Sequence, residues 1–164
     1  MKIDLKKLNT SAHASIPFDE TIDLTDEKLY GAKPFQSPVH IKGVVSNESG
    51  VGRLAGSIET IYSTECARCL NPLEIPLSAE ADMMLSDDPE AEEEDDLFVL
   101  TSDSVDPADV LVPALILQVQ MTYLCKEDCK GLCPHCGADR NVTDCDCDKK
   151  QVDPRLEILK QLMD

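Results

Sequence analysis

The sequence is poor in basic residues. Its 164 residues include 15 Lys and Arg against 32 Asp and Glu, which gives a formal net charge of −17. A protein that binds nucleic acid mainly by neutralising phosphates needs Lys and Arg, so the excess of acidic over basic residues disfavours that class of protein. It equally disfavours attraction to an anionic membrane surface. The excess of acidic residues favours basic partners and rapid electrostatic encounter with them.

A long apolar run is also missing. The longest apolar-rich stretch, residues 110–119, is too short to span a bilayer and is interrupted by Pro113 and Gln118. Residues 1–8 alternate Lys with apolar residues and do not have the pattern of a signal peptide. We therefore expect a cytoplasmic protein with no membrane partner.

Catalytic motifs are scarce. The chain has 3 histidines, and its Gly50-Val-Gly52 segment lacks the rest of either common phosphate-binding fingerprint. No pairing of a nucleophile with a base stands out along the chain. We therefore expect no enzymatic activity.

Cysteine, by contrast, is abundant. The chain has 8 cysteines, which are Cys66, Cys69, Cys125, Cys129, Cys133, Cys136, Cys145 and Cys147. In a reducing cytosol, such residues are better explained as metal ligands than as disulfides. Their clustering favours the same explanation, because six of them lie within residues 125–147 and the other two form a Cys-x-x-Cys pair.

Two Cys-x-x-Cys turns are typical of zinc sites. They are Cys66-Ala-Arg-Cys69, which lies between two predicted strands, and Cys133-Pro-His-Cys136 followed by Gly137. This spacing lets both thiolates reach one zinc ion while neighbouring backbone N–H groups point at the sulfurs. A redox-active pair uses the same spacing, but it needs a βαβ setting that the flanking strands of Cys66 do not provide.

The number of cysteines predicts two sites, because a structural zinc ion takes four ligands. The preferred partition forms a first cysteine group from Cys66, Cys69, Cys125 and Cys129, and a second cysteine group from Cys133, Cys136, Cys145 and Cys147. A single four-ligand site with four unligated thiols is the alternative. The spacing of Cys129, Cys133 and Cys136 also matches iron–sulfur sites of radical enzymes, but a chain of this length leaves no room for their barrel.

The remaining pattern predicts an α+β fold. Apolar residues occupy every second position from Leu73 to Leu85, and further strands are predicted around Val39–Val45 and Leu54–Thr64. These strands favour a mainly antiparallel sheet. Asp106-Pro107 begins a long helix predicted over residues 107–121, and Asp153-Pro154 begins a short C-terminal helix that runs through Met163.

Two domains are predicted. The first spans residues 1–124 and contains the sheet, the helix and an acidic loop at residues 86–96. The second, residues 125–164, is a cysteine-rich, zinc-binding segment with the C-terminal helix. Residues 87–96 hold eight acidic side chains, which either dock a basic partner or form an ordinary solvated loop.

Five segments carry a family resemblance. They are Met1-Lys-Ile-Asp-Leu5, Cys66-Ala-Arg-Cys69-Leu70, the run from Leu124 to Gly137, Cys145-Asp-Cys147 and Asp153-Pro-Arg-Leu156. In order and spacing they resemble the YceD family, the large ribosomal RNA subunit accumulation proteins, across nearly the whole chain. The run from Cys125 to Gly137 is the most specific of them. The resemblance implies a role in the synthesis, processing or stability of large-subunit ribosomal RNA (rRNA), and no known enzymatic activity.

We therefore expect a non-enzymatic ribosome-biogenesis factor with a zinc-stabilised structure. An acidic factor can act on rRNA indirectly by holding a basic ribosomal protein, so the expected partner is such a protein or a pre-ribosomal particle. Two zinc ions on eight thiolates would take the formal charge from −17 to about −21, which makes direct nucleic-acid binding weak. The alternative function is a zinc-dependent protein-interaction module that is not dedicated to the ribosome.

Overall fold

The computed structural model describes residues 2–10, 14–48, 50–88 and 96–147. The strands in these ranges are β1 (Ile3–Asp4), β2 (Ser15–Ile22), β3 (Val39–Glu48), β4 (Val51–Glu65), β5 (Pro72–Ser86), β6 (Leu97–Val99) and β7 (Ser104–Val105). A 3-10 helix spans Leu5–Thr10, and the α-helix α1 spans Pro107–Leu117. The fold is thus α+β and mostly strands. The C-terminal helix predicted from Asp153 onward lies outside the described residues.

Five strands form the main sheet in the order β2-β3-β4-β5-β6, while β1 pairs with β7 in a separate two-stranded sheet. The pairs β2–β3 and β3–β4 are antiparallel, with Phe18 opposite Gly43 and Ile41 opposite Ile58. The pair β5–β6 is parallel, with Met84 opposite Leu97. The sheet is therefore mixed, and the mainly antiparallel sheet expected from the sequence is wrong on this point.

The parallel pair depends on the length of chain between its strands. A tight turn joins antiparallel strands, whereas parallel strands need a longer crossover connection. Residues 87–96 connect β5 to β6, and because the parallel pairing covers only three residues of each strand, the chain has a short distance to return. Apolar alternation indicates which face of a strand is buried, but it says nothing about the direction of the neighbouring strand, so the sequence could not predict this pairing.

The alternation predicted for β5 is confirmed. Leu77, Ala79 and Leu85 are buried, whereas Ser78 and Glu80 between them are exposed. Because successive side chains of a strand point to opposite faces, this pattern turns one face of β5 toward the core and the other toward solvent. The buried residues belong to one hydrophobic core together with β3, β4 and α1.

Helix α1 covers this core and begins as predicted. The side chain of Asp106 accepts a hydrogen bond from the Ala108 amide at 3.1 Å, and Pro107 occupies the first turn. Leu111 and Leu115 are fully buried. The helix ends at Leu117, earlier than predicted. The Gln118 and Val119 amides donate to carbonyls three residues earlier instead of four, and such bonds tighten and end the last turn. None of the helices in the described ranges has the length and apolar content that crossing a membrane requires.

The chain divides into two compact units. The sheet unit comprises residues 1–64 and 72–123, and the cysteine unit comprises residues 65–71 and 124–164. All 8 cysteines fall in the cysteine unit. Most of the acidic segment 87–96 lies outside the described residues, but Asp87, Asp88 and Asp96 are described and exposed.

Candidate metal centre

The first Cys-x-x-Cys segment forms a tight turn that follows β4. The Leu70 amide donates to the Cys66 carbonyl at 2.9 Å, and the Cys66 amide donates to the Asn71 carbonyl at 2.8 Å. Leu70 adopts a φ of 59°, in the left-handed region that a Cβ disfavours. Residues 66–71 are called the first knuckle below. Its flanks are β4 and β5, which is not the βαβ setting of a redox pair.

The second Cys-x-x-Cys segment repeats this bonding. The Gly137 amide donates to the Cys133 carbonyl at 2.9 Å, and the Cys133 amide donates to the Ala138 carbonyl at 2.8 Å. Gly137 stands where Leu70 stands in the first knuckle, with a φ of 72°. Glycine adopts this positive φ without the steric cost that a Cβ brings. Residues 133–138 are called the second knuckle.

The structure gathers the cysteines into two groups of four. One contains Cys66, Cys69, Cys125 and Cys129, and the other contains Cys133, Cys136, Cys145 and Cys147. Within each group, all the sulfur atoms lie within 4.8 Å of one another. This is the partition preferred from the sequence. It places Cys129 in a different group from Cys133 and Cys136, so the spacing typical of radical iron–sulfur sites does not form one cluster.

The distances between sulfurs suit a tetrahedral zinc ion. In the first cysteine group, Cys66 Sγ lies 3.8 Å from Cys129 Sγ, and Cys69 Sγ lies 3.6 Å from Cys125 Sγ. Four sulfurs bound to zinc at about 2.3 Å stand about 3.8 Å apart, whereas a disulfide needs about 2.05 Å. All cysteines are free thiols. The residues present therefore fit zinc, and a site with four protein sulfurs would leave no open coordination position.

The two groups differ in their exposure to solvent. In the first group, Cys66, Cys69 and Cys129 are buried and Cys125 is exposed. In the second group, Cys133 alone is buried. A metal ion held by the first group would thus be better shielded from water than one held by the second.

Backbone amides favour the thiolate at one cysteine of each group. The pKa of Cys66 falls to about 6, chiefly because the Cys125 backbone N–H donates to its sulfur. The pKa of Cys133 also falls to about 6, chiefly because the Cys136 backbone N–H donates to its sulfur. These amide contacts therefore favour the thiolate, the form that binds a metal ion.

A second cysteine of each group is held as a thiol. The pKa of Cys125 rises to about 12, chiefly because its side chain shares a hydrogen bond with Cys129. The pKa of Cys147 rises to about 12 for the same reason, with Cys136 as its neighbour. Four sulfurs cannot all ionise at such short distances without a cation, so metal binding at either group would release protons.

Arg68 and Gly131 pack the first knuckle against the segment that supplies Cys129. Arg68 Nη1 donates to the Cys129 carbonyl at 2.9 Å, and the Leu132 amide donates to the Arg68 carbonyl at 3.0 Å. A Cβ on Gly131 would lie only 2.9 Å from that same carbonyl oxygen. A side chain at residue 131 would therefore force the two segments apart.

Sequence reasoning did not find Asp139 and Asn141. Asn141 Nδ2 donates to Cys129 Sγ at 3.4 Å, although Asn141 follows the second knuckle and Cys129 belongs to the first cysteine group. Asp139 Oδ1 accepts from the Asn141 side chain at 2.7 Å. The only signal in the sequence is a pair of turn-forming residues between Cys136 and Cys145, which does not reveal a contact with Cys129.

Comparison with known proteins supports the resemblance drawn from the motifs. The family model described as "Large ribosomal RNA subunit accumulation protein YceD" matches residues 54–163, a range that contains both cysteine groups. Protein YlbN of Bacillus subtilis (strain 168) is 28% identical over 166 residues, which cover 99% of this chain and 96% of that protein. No solved structure matches the chain significantly.

Two plant relatives carry the family's functional name. The Zea mays protein "Large ribosomal RNA subunit accumulation protein YCED homolog 1, chloroplastic" is 26% identical over 155 residues, covering 74% of this chain and 52% of that protein. The Arabidopsis thaliana protein of the same name is 23% identical over 150 residues, covering 73% and 47%. The chain thus spans about half the length of these two relatives. Since the family match reaches from β4 past both cysteine groups, the chain belongs to the YceD family of large ribosomal RNA subunit accumulation proteins.

Proposed function

We propose that this protein is a non-enzymatic ribosome-biogenesis factor of the cytoplasm. It supports the synthesis, processing or stability of large-subunit rRNA. The observation that carries this proposal is the family match over residues 54–163, together with plant relatives whose printed names refer to accumulation of that RNA. We thereby extend to this chain the role in rRNA accumulation that is named for its plant relatives.

We propose further that the cysteine unit folds around two zinc ions. The ligands of one ion are Cys66, Cys69, Cys125 and Cys129, and those of the other are Cys133, Cys136, Cys145 and Cys147. The all-sulfur donor sets and the sulfur–sulfur distances of 3.6 and 3.8 Å support this assignment. When bound, zinc at the first group supplies a cross-link between segments that are distant in sequence, whereas zinc at the second group closes a local loop. Closed four-sulfur sites favour a structural role for these ions.

We propose a basic partner, either a ribosomal protein or a pre-ribosomal particle. The net charge of −17 would attract such a partner and would oppose contact with bare RNA. The densest negative charge in the sequence is the acidic segment 87–96. An acidic segment of this kind would act mainly by accelerating encounter with the partner, and salt would screen its effect.

Depletion of the protein tests the ribosomal role. The ratio of large-subunit to small-subunit rRNA should fall on depletion and recover when the wild-type gene is restored. An unchanged ratio would contradict the proposal and favour an interaction module that is not dedicated to the ribosome.

A charge-matched pair of variants tests the acidic segment in the same assay. The test variant neutralises four acidic residues of the segment, Glu92, Glu93, Glu94 and Asp95. The control variant neutralises four exposed acidic residues of the sheet unit, Asp19, Glu27, Glu74 and Glu80. Both change the net charge equally, so only a role of the segment itself predicts that the first restores the rRNA ratio poorly and the second restores it fully. Equal behaviour of the two variants would mean that the segment has no role beyond its share of the net charge.

A further inference from the structure

Asn141 contacts the first cysteine group from a loop that belongs to the second. The loop 139–144 connects the second knuckle to Cys145. Nevertheless, Asn141 Nδ2 donates to Cys129 Sγ at 3.4 Å, and Asn141 Oδ1 accepts from the Lys130 amide at 2.9 Å. One side chain of this loop therefore fixes both the sulfur of a first-group ligand and the backbone of the next residue.

Asn141 is itself held rigidly. Asp139 Oδ1 accepts from the Asn141 side chain at 2.7 Å and from the Asn141 amide at 2.9 Å. With the bonds to Cys129 and Lys130, the Asn141 side chain uses both its donor and its acceptor atoms. The other oxygen of Asp139 accepts from Asn71 Nδ2 at 3.4 Å, and Asn71 ends the first knuckle. The network thus joins both segments that supply the first cysteine group.

The backbone of the loop ties this network to the second knuckle. The Cys133 amide donates to the Ala138 carbonyl at 2.8 Å, and Leu132 forms a bridge with Asp139. The Arg140 amide donates to the Gly131 carbonyl at 3.0 Å. Fixing the second cysteine group on a metal ion would hold both ends of the loop, and so would hold Asn141 against Cys129.

We propose that Asn141 is a positioning residue that couples metal binding at the two cysteine groups. This inference rests on the proposed function, because it requires that both groups bind zinc. Zinc at the second group orders the loop, and the loop presents the Asn141 amide to the Cys129 thiolate that binds zinc at the first group. Coupling of binding is reciprocal, so zinc at the first group also favours zinc at the second.

Hydrogen bonds to metal ligands strengthen metal binding. Loss of such an outer partner lowers metal affinity by about 10–100-fold. Asn141→Ala should therefore weaken zinc binding at the first group by about that factor, although Asn141 is not a ligand. Val142→Ala is the matched control, because Val142 is the next residue of the loop and is exposed. It should bind zinc as the wild type does.

Native mass spectrometry of the full wild-type chain tests the coupling without any substitution. With one equivalent of Zn²⁺ added to metal-free protein, coupled sites should give mainly empty and doubly loaded chains. Independent sites cannot give a singly loaded fraction below about half. A fraction of half or more, together with an unchanged first-group affinity when Cys145→Ser and Cys147→Ser disable the second group, would overturn the inference. A chain that binds two zinc ions independently refutes only the coupling, whereas a chain that binds none refutes the proposed function as well.

A double-mutant cycle then tests Asn141 itself. The first-group affinity is measured by competition with a chelator, with and without Cys145→Ser and Cys147→Ser, which disable the second group. With Asn141 present, loss of the second group should lower the zinc affinity of the first group about tenfold or more. In the Asn141→Ala background, the same loss should lower it by less than about twofold. Asp139→Asn, which weakens the anchor of Asn141, should also reduce the coupling and serves if Asn141→Ala does not fold. An equal loss in all backgrounds would overturn the role of Asn141.

Discussion

Leu70 and Gly137 occupy equivalent positions in the two knuckles, so one substitution can add backbone strain to a knuckle and another can relieve it. Their φ angles are 59° and 72°, so both lie in the left-handed region. A Cβ on Gly137 would meet no atom within 4 Å, so Gly137→Ala adds backbone strain without a steric clash. That strain costs about 1–2 kcal/mol for an L-residue. Because folding of a small metal site is coupled to metal binding, the apparent zinc affinity should fall by about 5–30-fold.

Leu70→Gly should raise the apparent zinc affinity instead of lowering it. The substitution relieves a similar strain but adds about 0.5–1 kcal/mol of chain entropy to lose on folding, so the net gain is about 0–1.5 kcal/mol. Only part of the Leu70 surface is buried and lost in this variant, because the residue is 56% exposed.

Both changes in apparent zinc affinity are measured by competition with a chromophoric chelator, using the two variants and the wild type. The reasoning would be refuted by an unchanged affinity for Gly137→Ala, or by a weaker affinity for Leu70→Gly. Either result would mean that the left-handed residue does not determine the geometry of the knuckle.

Three further substitutions test the sheet unit and its separation from the cysteine unit. Cys136→Ser removes a proposed ligand and should abolish amide protection in the cysteine unit only; hydrogen exchange showing equal loss in both units would argue against independent folding. Leu111→Ala truncates a fully buried helix residue and should cost about 2–5 kcal/mol in urea unfolding with an unchanged zinc content; a negligible cost would contradict the packing of α1. Asp106→Ala removes the hydrogen bond to the Ala108 amide and should cost about 1 kcal/mol in thermal unfolding, whereas an unchanged stability would mean that the cap is dispensable.

Much of this structure could be predicted from local patterns. The alternation from Leu73 to Leu85 and the Asp106-Pro107 helix start each depend on neighbouring residues, so the sequence alone was enough. The partition of the cysteines could also be predicted, because four ligands per ion and the position of each knuckle restrict the pairings.

The features that sequence reasoning missed depend on contacts between distant residues. The parallel pairing of Met84 with Leu97 depends on the path of the chain between them. The bond from Asn141 to Cys129 crosses from the loop of one cysteine group to a ligand of the other. A residue of this kind has no local pattern, because an Asn in a loop usually bonds to its own backbone.

Elemental analysis of the protein, purified without added metal, tests the central claim most directly. The two groups of four free cysteines predict two zinc ions per chain and no iron. One zinc ion per chain would mean that only one cysteine group binds metal. A zinc content near zero, or an excess of iron over zinc, would contradict the account.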